Sequence, residues 1–152
     1  MAERRRGGGD RVKAGTDFYR KLADAYPAGF WHDFERLKVG DATGAESAIS
    51  FIEADPWFFE SGYVKARLAT YLKRIPLSTP QRERLHDALI RIAASRYRQE
   101  YPHFCRLARS LATPHFATRL TELAASSDAD AARRAKWMLA QVEEALRLRR
   151  ER

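Results

Sequence analysis

Apolar residues recur at three- and four-residue spacing along most of the chain, the pattern of helices with one buried face. Phe30, Trp31, Phe34 and Leu37 form one such set, and Ala45, Ala48, Ile49 and Ile52 form the next. The turn-rich Gly40-Asp41-Ala42-Thr43-Gly44 separates them. Val64, Leu68, Tyr71, Leu72 and Ile75 predict a helix of about three to four turns. Leu85, Leu89, Ile92 and Ala93 predict a longer one reaching Gln99, and Phe104, Leu107, Ala108 and Leu111 the one after it. Upstream, Phe18, Leu22 and Ala25 mark a first helix with Thr16 as its cap. Strict alternation of apolar and polar residues is missing. Val and Ile are few, while Ala, Leu and Arg are many, which favours helix over strand.

The punctuation agrees with the periodicity. Asp55-Pro56 reads as a cap followed by proline at the first helical position. Pro76-Leu77-Ser78-Thr79-Pro80 is a linker that ends in another cap plus proline, and Pro102 opens a helix. Over residues 113–148 two consecutive helices are spelled out. Thr113 and Pro114 start the first, which carries Phe116, Leu120, Leu123 and Ala124. Ser126-Ser127-Asp128 interrupts the pattern. Ala131, Ala135, Met138, Leu139, Val142 and Leu146 rebuild an apolar stripe. The expected fold is all-α: stacked antiparallel helix pairs, about seven to eight helices in all. Residues 1–14 read as a disordered basic arm, 15–148 as a single helical domain and 149–152 as a basic tail.

Residues 127–142, Ser-Asp-Ala-Asp-Ala-Ala-Arg-Arg-Ala-Lys-Trp-Met-Leu-Ala-Gln-Val, resemble the second helix of a HEAT or armadillo repeat. Asp128, Ala131, Ala135, Leu139 and Val142 match the repeat pattern. Trp137 stands where armadillo helices carry a groove-facing Trp, and Gln141 stands where Asn is usual. The similarity covers residues 114–146. It implies a HEAT-like α-solenoid fragment that binds macromolecules.

Composition narrows the function classes. The chain has 152 residues, with 45% hydrophobic and 11% aromatic content, enough to bury a core. No stretch approaches the roughly 18 consecutive apolar residues of a membrane span, so no membrane partner is expected. One cysteine, Cys105, and a start without a signal-peptide core suggest a cytoplasmic protein. Residues 1–60 hold 9 Lys/Arg against 11 Asp/Glu, and residues 61–152 hold 19 against 9. The positive charge therefore sits in the C-terminal helices, which invites an acidic partner.

Two binding readings follow. If Ala135, Leu139 and Val142 face inward, Trp137 points outward beside Arg133 and Gln141, the composition of a protein-interface anchor. The first reading is therefore a non-enzymatic adaptor or assembly subunit that uses Trp137, Arg133 and Gln141. In the alternative, Arg84, Arg91 and Arg98 form one helical stripe and join Arg106, Arg109 and the arm's Arg4, Arg5 and Arg6 to track nucleic-acid phosphates. Tyr97 and Tyr101 would then stack on unpaired bases. Trp57-Phe58-Phe59 reads as core packing. An enzyme would rest on His103, Cys105 and His115 alone, with no metal or cofactor motif beside them. Cys105 itself falls on an apolar helix face and reads as a core residue.

Overall fold

The computed structural model describes residues 26–58 and 60–152. The first predicted helix, the basic arm with Arg4, Arg5 and Arg6, and Phe59 lie outside the described residues. Contacts divide the chain into two compact units, Met1–Trp31 and His32–Arg152. In the first unit the Tyr26 and Phe30 rings stack at 4.8 Å, and Trp31 meets Phe30 edge-on at 5.1 Å.

The described residues form seven α-helices and no strand. They are α1 (Phe30–Lys38), α2 (Ala45–Ala54), α3 (Ser61–Leu72), α4 (Thr79–Ser95), α5 (Tyr101–Ser110), α6 (Pro114–Ala124) and α7 (Ala129–Arg150). A 3-10 turn, Ala42–Gly44, leads into α2. The all-α expectation holds. None of these helices is long and apolar enough to cross a membrane.

Local chemistry accounts for most of the starts. Ser78 accepts from the Gln81 amide while the Gln81 side chain accepts from the Ser78 amide, a reciprocal cap on α4. Thr113 caps α6 and Asp128 caps α7. Pro80, Pro102 and Pro114 sit in first turns, where the missing N–H has no helical acceptor to lose.

Three expectations change. Asp55 does not start a helix; it ends α2 in the left-handed region at φ 45°, and α3 begins only at Ser61. Helix α4 stops at Ser95, not near Gln99, because Arg96 turns extended at φ −162°. The residues read as a basic tail begin inside a helix, since α7 continues through Arg149 to Arg150.

In the unit His32–Arg152 the core gathers around α7, which packs against α4, α5 and α6. Ala131, Ala135, Met138 and Val142 are among its buried side chains. They meet buried Leu85, Leu89, Phe104, Leu107, Phe116 and Leu120 from the neighbouring helices. His86 is also buried: its ring stacks on Phe116 at 4.1 Å, and Nε2 lies 2.7 Å from the Leu111 carbonyl, to which it donates when neutral. Burial holds the imidazole below its ordinary pKa of 6.5. The unfolded chain therefore takes up the proton first as pH falls, so stability is full above about pH 6.5 and declines below it. His86→Gln, which keeps a donor and cannot titrate, is expected to flatten the acid side of a urea-midpoint profile. An unchanged slope would show that His86 is not the group responsible.

Candidate functional site

The N-terminal half of α7 is pinned by two side chains that lie away from solvent. Tyr101, at the start of α5, donates its hydroxyl to the Arg134 carbonyl. Arg134 in turn donates Nε to the Ala93 carbonyl at 2.8 Å. Burial keeps the Tyr101 phenol neutral by raising its pKa. The Tyr101 ring also meets Trp137 edge-on at 5.3 Å. These contacts fix the rotation of α7, and at 100° per residue the buried alanine stripe leaves Trp137 and Arg133 on the open side. Trp137 is 43% exposed, its rim free and its edge seated on Tyr101.

A cleft of about 790 Å³ opens there, lined by Ser95, Arg96, Tyr97, Asp128, Asp130, Arg133, Arg134 and Trp137. Its charge is nearly balanced. Arg133 pairs with Asp130, Asp128 is used as the α7 cap, and Arg134 is spent on Ala93. Arg96 reaches the other way, with its guanidinium over the Trp57 ring at 4.7 Å. Arg96 also lines a second depression of about 370 Å³, together with Trp57, Tyr63, Arg98 and Glu100. The aromatic cluster read as core packing is thus corrected at Trp57, which is 81% exposed; the loop that carries it is held from beneath, not buried.

That support is a set of charges. The Lys65 ammonium, fully buried, donates to Asp55 Oδ1 at 2.8 Å and to the Pro56 carbonyl at 3.0 Å, and lies 3.3 Å from Glu100 Oε1. Arg98 pairs with the same Asp55 and donates to Ser95 Oγ at 2.7 Å. No pattern in the sequence pointed to this network, because its bonded partners lie up to 43 residues apart.

The arginine stripe of the alternative reading is corrected for the same reason. Arg98 is 5% exposed and faces Asp55, not solvent. Arg84 is bound by Glu46 and Glu53, and its own pairing holds the Glu53 carboxyl low. Arg91 alone of the three is exposed without an ion pair among the described residues. Asp87, one turn before Arg91 on the same helix, pairs with Arg119 at 2.6 Å.

Arg106 and Arg109 belong to a different place. Along α7, Trp137, Gln141 and Leu148 fall within about 40° of one another, so one face continues from the first cleft toward the C-terminus. Gln141 lies part-way along it and accepts from Arg109 at 3.5 Å, so it forms wall between α5 and α7. Beyond it is a cleft of about 460 Å³ lined by Lys73, Arg106, Arg109, Ser110, Ala145, Leu148, Arg149 and Arg152.

Cys105 is a core residue, its thiol pushed up to about 12 by burial. His103 is half-buried and His115 exposed on a different helix. The structure does not bring the three together as a site. The chain matches no family model, no curated protein and no solved structure.

Proposed function

We propose that the chain is a non-enzymatic binding module that docks a protein partner on the Trp137 cleft. One observation carries this reading. Trp57, Tyr63, Tyr97 and Trp137, the exposed large aromatics described in His32–Arg152, all line the two depressions that meet at Arg96. Trp, Tyr and Arg are the side chains that dominate interface energetics. The four are presented on a fixed frame: Tyr101 and Arg134 orient Trp137, and Lys65 with Arg98 anchors the Trp57 loop. A preformed surface loses little entropy on association. The near-neutral charge of the larger cleft suits a partner segment with an apolar side chain beside a carboxylate. The apolar group would sit on Trp137 and Tyr97, and the carboxylate would reach Arg96 or displace Asp130 from the exposed Arg133 pair.

Capture from a nuclease-treated lysate of the native host, followed by titration of the purified partner, tests the reading. Trp137→Ala is expected to weaken the partner at least about tenfold, since truncating a central anchor costs more than about 1.4 kcal/mol. The melting temperature should move little, because only part of the ring is covered. Full-strength binding by Trp137→Ala, or capture that vanishes with nuclease, would remove the proposal.

A further inference from the structure

The cleft at the far end of α7 has a different chemistry from the one that carries Trp137. Five of its eight lining residues are cations and none is an acid. Lys73 comes from the C-terminal cap of α3, Arg106 and Arg109 from α5, Arg149 from the last turn of α7 and Arg152 from just beyond its end. Among the described residues, none of these five forms a salt bridge. Arg109 is lightly engaged by Gln141, and Arg149 donates to the Ala112 carbonyl at 2.6 Å. Glu144 stands at the edge, close enough for Arg109 to be felt, but it is committed to Arg147. The convergence has an electrostatic cost visible in two groups. The Lys73 ammonium is held below its ordinary range by burial and by Arg106 and Arg74. His103 is held down by burial and by Arg106 and Lys73.

Like charges gathered with no counter-charge repel one another unless an anion joins them. We infer that this cleft binds the phosphate backbone of a nucleic acid, without reading its bases. Several features favour that occupant. A single phosphate carries at most about two negative charges and leaves most of five cations uncompensated, whereas a polymer presents one after another. Four of the five are arginines, whose planar fork matches phosphate oxygens in pairs. The rest of the lining is Ser110, Ala145 and Leu148, which offers little to distinguish one base edge from another. Among the described residues, none of the exposed large aromatics lines this cleft, so it lacks from them the aromatic anchors that accompany cations at a membrane surface. This inference does not depend on what occupies the Trp137 cleft.

The test is fluorescence anisotropy with mixed-sequence single-stranded and duplex oligonucleotides over a range of salt. As whole residues Lys73 and Arg106 are both exposed, and among the described residues no hydrogen bond engages either side chain, so changing them leaves the packing intact. The double variant Lys73→Gln/Arg106→Gln is expected to lose roughly tenfold in affinity. Its salt slope should fall by about two, near one for each phosphate contact removed. Its melting temperature should hold or rise, because a repulsion is relieved. Arg91→Gln, an exposed cation elsewhere, and Trp137→Ala should bind as the parent does. Undetectable binding by the parent protein, an unchanged affinity in the double variant, or an equal loss in Arg91→Gln would overturn the inference. So would tripolyphosphate binding as tightly as the oligonucleotide, or phosphatidylserine vesicles that displace it.

Discussion

Replacing Lys65 with methionine is expected to destabilise the protein by about 3–5 kcal/mol, the cost of leaving buried charges without their partner. The side chain is among the largest fully buried ones, and its ammonium is the common contact of Asp55, Glu100 and the Pro56 carbonyl. Methionine keeps the volume and removes the charge, so the loss is electrostatic and not a cavity. Arg98 still pairs with Asp55, but Glu100, whose side chain is 9% exposed, has no salt bridge among the described residues except the one to Lys65. The segment between α2 and α3 also carries two non-glycine residues at positive φ, Asp55 and Glu60, a conformation that persists only where surrounding contacts hold it. Urea denaturation measures the effect directly. A change below about 1 kcal/mol would mean that water replaces the ammonium. Adding Glu100→Gln to Lys65→Met should recover part of the loss, because the stranded carboxylate is then neutral.

The second large effect concerns Gly44, and it is steric. Its φ is −83°, a value that any residue adopts, so backbone freedom is not the reason for glycine. The reason is proximity. A Cβ at this position would stand 2.3 Å from the Asp33 carbonyl oxygen and 3.1 Å from the Leu37 nitrogen. Both are main-chain atoms of α1 and cannot swing aside as a side chain does. Gly44→Ala therefore forces α1 away from the start of α2 and breaks the hydrogen bond from Ser47 to Asp33. The expected cost is about 1–3 kcal/mol, toward the upper end because the clash is with backbone. Thermal unfolding read by circular dichroism would reveal it. A midpoint equal to the parent's would show that α1 moves freely at this point.

How much of this could be read from residues alone depends on range. The caps at Thr113 and Asp128 and the prolines of the first turns act over three residues, so the string itself displays them. The orientation of Trp137 was readable too, because Ala131, Ala135 and Val142 fix the phase of α7 within its own sequence. The end of α4 was not. No glycine or proline stands between Ser95 and Tyr101; the chain leaves the helix where Arg98 can reach Asp55, a partner on the far side of two helices in the sequence. The same long-range pairing removed Arg98 from the surface and placed Trp57 on it. The basic cleft was half visible. Arg106 and Arg109 stood out as cations, but their convergence with Lys73, Arg149 and Arg152 is set by packing of α5 against α3 and α7.

Helix α7 lines both clefts without a break. Trp137 and Leu148 lie about three turns apart along it, which at 1.5 Å per residue is about 16 Å. The spacing and the angular phase of the two surfaces are thus written into a single rod and do not depend on a hinge or a linker. α7 acts as a ruler. A partner proposed for its Trp137 end and one proposed for its arginine end would be kept at a set distance and on the same side.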